Sequence, residues 1–189
     1  MKTIDRNVQN EFTINKSIFI TEIIKIKNKE QVKIQLESLK NKYKEATHCC
    51  YAYIIDEFQK AYDDGEPKGT AGIPILEALN KLELNYVLCV VVRYFGGIKL
   101  GSGGLIRAYR KAAIDALKKA NLKKLVDGYK IAVEVPYKKQ SEIEFLLNDG
   151  FSKTYNETVI YNIECDREIK DKIALKYRIL SEEEIKIEK

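Results

Sequence analysis

The sequence predicts an α+β protein of two closely joined domains, and three observations carry that expectation. The most apolar stretch, YVLCVVVRY (86–94), reads as a strand covered on both sides. It runs through a glycine-rich loop into a helix whose apolar face is half alanine. Beyond about residue 128 the apolar spacing gives strand, helix, strand, strand, helix, strand. At 189 residues, 45% hydrophobic and 32% charged, the chain has the make-up of a folded protein with a sizeable core.

Each element has its own reason. FTINKSIFITEIIKI (12–26) is rich in β-branched residues and reads as extended, with a turn near Asn15-Lys16. Residues 30–43 place Val32, Leu36, Leu39 and Tyr43 at helical spacing, and CYAYII (50–55) reads as a strand. The segment from Asp56 to Gly72 reads as turn-rich, and a short helix follows at 73–83. Pro74 is tolerated in its first turn and Thr70 is a candidate cap. A longer helix is predicted at about 103–120, with Leu105, Ile106, Tyr109, Ala112, Ala113, Ala116, Leu117 and Ala120 on one arc. Arg107, Lys111 and Lys118 lie opposite, with Arg110 beside them.

LKKLVDGYK (122–130) reads as a boundary with a turn at Asp127-Gly128, dividing the chain into domains 1–127 and 128–189. In the second domain strands are predicted at 129–136, 151–157, 158–165 and 183–188, and helices at 138–148 and 166–178. The order βαββαβ is the ferredoxin-like arrangement.

Charge is unevenly spread. Residues 1–128 hold 22 Lys and Arg against 15 Asp and Glu, whereas residues 129–189 hold 11 against 13. Residues 93–124 carry nine cationic side chains and one acid, Asp115. A local excess of that kind suits an anionic partner. The opening MKTIDRNVQNEF lacks the apolar stretch of a signal peptide, and YVLCVVV is too short to span a bilayer. A cytoplasmic protein without a membrane partner is expected, with a monomer as the default state. Four cysteines without a CxxC do not suggest a disulfide scaffold. His48-Cys49-Cys50 could ligate a metal, but neighbours on a strand point to opposite faces, so buried thiols are the plainer expectation. No metal and no cofactor is expected.

Five of the ten glycines fall between Gly96 and Gly104. A strand, a glycine-rich loop and a helix form a layout that holds anions on free N–H groups and the positive helix end. The candidate binding residues are Arg93, Gly96, Gly97, Lys99, Gly101, Ser102, Gly103, Gly104, Arg107, Arg110 and Lys111. Neither GxxxxGK[ST] nor GxGxxG is present. The competing reading is that the glycines only permit a tight turn and close helix packing. A second stretch, DDGEPKGTAG (63–72), combines a hairpin-type Asp64-Gly65 turn with Asp63, Asp64 and Glu66. Those carboxylates shape a turn, bind a divalent cation, or form ion pairs that fix the basic loop. No nucleophile–base constellation is visible, because His48 is the one histidine and no serine or cysteine sits in a nucleophile elbow.

DDGEPKGTAG and VVVRYFGGIKLGSGGLIRAY (90–109) together resemble the signature of the YigZ/Impact family, G-E-P-x-G-T-A-G followed by R-Y-F-G-G and L-G-x-G-G-L. The resemblance implies an N-terminal α/β sandwich like the second domain of ribosomal protein S-five. It also implies a C-terminal domain similar to a ferredoxin-like domain of elongation factor G. Eukaryotic Impact proteins regulate translation under amino-acid stress by competing for a ribosome-associated activator of an initiation-factor kinase, and nucleic-acid binding has been suggested for bacterial members. Two positions depart from the pattern: Ile18 stands where an Arg is common, and Tyr62 where a Ser is common. The leading expectation is a non-enzymatic, translation-associated protein that binds RNA, the ribosome or another polyanion. The alternatives are a protein-interaction module acting on a translation factor or stress kinase, and a phosphate- or nucleotide-binding enzyme with a loop like that of the GHMP kinases.

Overall fold

The computed structural model describes residues 1–147 and 150–189. They form two compact units, Met1–Lys124 and Leu125–Lys189.

The first unit opens with β1 (Lys2–Ile4) and a hairpin of β2 (Val8–Ile14) and β3 (Ser17–Lys25). The hairpin turns at Asn15 and Lys16, both at positive φ (46° and 63°), which suits the twist of a two-residue connection. Helix α1 (Lys29–Lys42) starts where the Asn28 side chain accepts the Gln31 N–H. Then come β4 (His48–Ile55), β5 (Phe58–Tyr62), α2 (Gly72–Lys81), β6 (Val87–Tyr94) and α3 (Gly101–Leu117). The sheet is antiparallel throughout, in the order β2-β3-β6-β4-β5.

Strand β6 is central, and its continuous apolar run has a direct cause. Val87, Cys89 and Val91 pack with α2 and α3, while Leu88, Val90 and Val92 pack with Val32 and Leu39 of α1. Both faces of the sheet are therefore covered, and the unit is an α/β sandwich. Helix α3 approaches closely because Ala108, Ala112, Ala113 and Ala116 line its buried face.

The second unit is carried by β7 (Leu122–Val135). Residues 122–124 of this strand pair with β1, and the rest of it pairs with elements after residue 125. These are α4 (Gln140–Leu147), β8 (Phe151–Tyr155), β9 (Val159–Cys165), α5 (Arg167–Ala174) and β10 (Arg178–Glu188). The antiparallel order β10-β7-β9-β8 with two helices is the ferredoxin-like βαββαβ fold. Its core includes Ile131, Val133, Ile143, Val159, Tyr161 and Ile173.

Four local expectations are corrected. Asp127-Gly128 is not a turn: both residues lie inside β7, opposite Lys186 and Ile185 of β10. The side chain of Ile187 fills the space a Cβ on Gly128 would take, which explains a glycine in mid-strand. The turn-rich segment contains a strand, β5, whose sequence Phe-Gln-Lys-Ala-Tyr has no period-two alternation and so hides it from a hydrophobic pattern. Helix α3 begins at Gly101 rather than 103 and ends at Leu117 rather than 120. Helix α5 ends at Ala174, and β10 starts at Arg178 rather than 183. The expected end of α4, Asn148, lies outside the described residues.

Leu88 is fully buried between the sheet and α1. Leu88→Ala is expected to lower unfolding free energy by about 3 kcal/mol in urea titrations, from lost transfer energy and a cavity.

Candidate functional site

The antiparallel register brings four connections to one end of the first unit's sheet. Ile18 pairs with Tyr94, His48 with Arg93, and Tyr51 with Tyr62. The β2–β3 turn, the approach to β4, the 63–71 turn and the 95–100 loop therefore converge there. The two glycine-containing stretches singled out in the sequence meet at this end.

Arg93 is at the centre of that meeting, and it is only 4% exposed. Its Nη1 donates to Glu66 Oε1 at 2.6 Å and its Nη2 to Ser17 Oγ at 3.3 Å. The guanidinium lies against the rings of Phe19 and Phe95, 5.5 Å and 5.4 Å from their centroids. The Tyr109 hydroxyl of α3 donates to the same Glu66 oxygen at 2.8 Å. One buried carboxylate thus joins the central strand, the acidic turn and α3. Arg93 is closed off from solvent, so its role here is that of an internal anchor rather than a surface phosphate contact.

The other two acids are also turned inward. Asp63 Oδ1 accepts the N–H groups of Ala71 (3.1 Å) and Gly72 (2.8 Å), and Oδ2 accepts that of Gly69 (2.8 Å). It caps α2 from across the turn. The expected cap, Thr70, instead donates its hydroxyl to the Pro67 carbonyl at 2.6 Å. Asp64 Oδ2 accepts the Cys49 N–H at 2.7 Å, and its carbonyl accepts His48 Nδ1–H at 2.8 Å. Of the three readings of this turn, turn-shaping and ion pairing describe what these carboxylates do.

Among the described residues no group of three or more His, Cys, Asp or Glu could hold a metal ion. Cys50 lies in the core facing α2 and α3, and Cys49 in the core facing α1. Burial pushes the Cys49 thiol up to about 11, and it raises that of Cys50 as well. Both are protonated at neutral pH and make poor nucleophiles. Burial likewise raises the Tyr109 hydroxyl far above its ordinary value, which keeps it a hydrogen-bond donor to Glu66.

The glycines serve different ends. A Cβ on Gly96 would lie 2.0 Å from the Lys16 backbone, so the loop seats directly on the β2–β3 turn. Gly97 and Gly101 have φ of 83° and 68°. Gly101, Ser102, Gly103 and Gly104 form the first turn of α3, not a loop before it, and Leu100 ahead of them gives no side-chain cap. Gly103 has neither a positive φ nor a backbone in its way; only the Arg107 guanidinium is near, at 3.5 Å.

The candidate cations divide into two sets. Arg110 pairs with Glu77, and Lys111 pairs with Asp115 while lying over the Phe12 ring. The exposed side chains of Lys99 and Arg107 make no ion pair or hydrogen bond among the described residues. Lys16, at the tip of the turn beneath Gly96, joins them with an equally unpaired side chain. Sequence reasoning missed Lys16 and Phe95 as site residues. The Asn15-Lys16 turn signal marked the first position, and the aromatic within RYFGG marked the second.

Gly96→Ala is expected to cost about 3 kcal/mol, because the obstacle is backbone. Gly103→Ala is expected to raise stability by about 0.5–1 kcal/mol through helix propensity. Paired thermal melts check both. Glu66→Gln is expected to cost about 3–5 kcal/mol by leaving a buried guanidinium without a counter-charge, and adding Arg93→Met should recover part of that loss. Strict additivity in the double-mutant cycle would show that the pair does not act as a unit.

Comparison with known proteins locates this architecture. A model of the Impact N-terminal domain matches residues 15–117, from the β2–β3 turn to the end of α3. The Bacillus subtilis (strain 168) protein "IMPACT family member YvyE" is 46% identical over 118 residues, which cover 61% of this chain and 54% of that protein. The Escherichia coli (strain K12) protein "IMPACT family member YigZ" is 35% identical over 148 residues, which cover 76% of this chain and 72% of that protein. A crystal structure described as that of a hypothetical protein superposes with a TM-score of 0.69 at 28% identity, covering 95% of this chain and 96% of that one. The chain spans a little over half the length of the first curated relatives it matches, at 54%, 57% and 55%. The signature stretches, the sandwich that joins them and the match across residues 15–117 lead to one conclusion: the chain belongs to the Impact family.

Proposed function

We propose that this protein is a non-enzymatic, translation-associated regulator whose first unit binds RNA, the ribosome or another polyanion. The observation that carries the reading is the division of charge at one end of the sheet. The acids Asp63, Asp64 and Glu66 are engaged with internal donors, while the exposed side chains of Lys16, Lys99 and Arg107 have no partner among the described residues. Unpaired cations are those that a phosphate backbone can take up without breaking an existing ion pair. The uncapped first turn of α3, with Ser102, Gly103 and Gly104, adds N–H groups on the same side as Arg107. Translation enters through family membership and the role that the resemblance implies for Impact proteins. The non-enzymatic part is supported by the thiols, which are held protonated, and by His48, whose Nδ1 is tied to the Asp64 carbonyl.

A second reading is favoured by a feature of the second unit. Phe145 and Leu175 are 88% and 86% exposed and line one shallow depression with Leu146 and Tyr177. An apolar area of that kind suits a protein partner. It supports the protein-interaction module as the alternative, with a translation factor or kinase regulator as the partner.

Binding of a short RNA is expected to weaken steeply as salt rises. Lys99→Ala with Arg107→Ala should weaken binding and flatten the log–log salt slope by about 0.7 for each phosphate of a single strand that is no longer neutralised. Arg110→Ala with Lys111→Ala should matter less, because those side chains already have partners. Fluorescence anisotropy across a salt series makes the measurement, and an affinity that is flat in salt would sink the polyanion reading.

A further inference from the structure

We infer that the outer face of Phe95 is a stacking platform for an unpaired base, so that the polyanion taken here is a single-stranded nucleic acid. The inference rests on the polyanion reading and narrows it to a substrate class.

Phe95 is 45% exposed at the start of the glycine loop. Its backbone N–H donates to Thr47 Oγ1 at 3.0 Å, which fixes the residue to the approach to β4. One ring face is already taken by the Arg93 guanidinium, 5.4 Å from the centroid. Arg93 is itself held by Glu66, Ser17 and Phe19. The ring is therefore held against a fixed partner, and its exposed area belongs to the opposite face and edge. A large apolar side chain this open to water beside Gly96 and Gly97 belongs to neither apolar core cluster of the unit. Ile98, also 45% exposed, extends the same apolar strip along the loop.

The surroundings define what that surface takes. Lys16 lies beneath Gly96, Lys99 follows Gly96 by three residues along the loop, and Arg107 lies back over Gly103. All three side chains are unpaired among the described residues. A flat apolar face among free cations matches a nucleotide, with a base for the ring and phosphates for the cations. A duplex keeps its base faces inside the stack, where a ring on a loop cannot reach them. A single strand offers those faces freely. An acidic peptide would satisfy the cations but would leave the ring without a flat partner.

The experiment uses the full chain and labelled twelve-nucleotide probes: a single-stranded RNA, the DNA of the same sequence, and the RNA duplex. The chain contains no tryptophan, so Phe95→Trp introduces a sole tryptophan, which red-edge excitation separates from the tyrosines and whose emission a stacked base quenches. Both single strands should bind more tightly than the duplex. Phe95→Leu, which keeps an apolar side chain and removes the flat face, should weaken single-strand binding about tenfold or more. It should leave the salt slope and the duplex affinity unchanged, and Phe95→Tyr should retain wild-type binding. Saturating single strand should quench the Phe95→Trp emission. Thermal melts of each variant confirm that the fold is intact. Equal single-strand affinity for wild type and Phe95→Leu, with unquenched Phe95→Trp emission, overturns the platform while the polyanion reading stands. Tighter binding to the duplex overturns it as well. If the wild type binds none of the probes at low salt, the polyanion reading fails together with this inference.

Discussion

The first unit depends on a charge that the chain has taken out of water. Arg93 stands at the end of the most buried strand, where an unpaired guanidinium would be strongly unfavourable. Glu66 offsets that penalty, and it reaches Arg93 only if the turn before α2 folds back over the sheet. Tyr109 reaches the same carboxylate only if α3 lies at its observed depth, which its alanine face permits. Strand, turn and helix are thus mutually conditional. The backbone N–H of Gly96 extends the network to Ser17, whose hydroxyl also receives Arg93. The site's outer surface is displayed on this internal frame.

The frame also explains why acidic and basic residues of one sequence neighbourhood end up with different duties. A carboxylate of the 63–72 turn can find an N–H or a guanidinium within a few ångströms, because the turn lies over a strand end and ahead of a helix. The side chains of Lys16, Lys99 and Arg107 pair with no acid among the described residues. Net charge in the sequence does not distinguish these cases. Nine cations between residues 93 and 124 read as one basic region, yet Arg93 is buried, Arg110 and Lys111 are paired, and Lys99 and Arg107 are open.

That contrast marks how far the sequence can be read. Elements with local signals are legible: the Asn15-Lys16 turn from its residue types, β6 from its apolar run, and α1 and α3 from periodic apolar positions. The ferredoxin-like order is legible for the same reason. Strand β5 is not, because its five residues, Phe-Gln-Lys-Ala-Tyr on an exposed edge, carry no hydrophobic alternation. The first turn of α3 reads as loop because three glycines hide a helix whose apolar periodicity starts at Leu105. Thr70 is the expected cap because it is adjacent to the helix, whereas Asp63 reaches it from 8 and 9 residues away. Arg93 reads as a surface cation because its partner lies 27 residues earlier. The cap and the buried arginine both turn on partners distant in sequence, which local pattern does not encode.

The seat of Gly96 on Lys16 bears on how such a protein can diversify. Two backbone segments far apart in the sequence touch with no side chain between them. The two-residue turn and the loop above it must therefore keep their lengths together, since an insertion in either would lift one off the other. Variation at this end of the sheet is confined to exchanging side chains on a backbone of fixed length. A lineage can retune charge and aromatic character at positions such as 16, 95, 98 and 99, but it cannot build a longer lid or a deeper pocket there without unseating the loop.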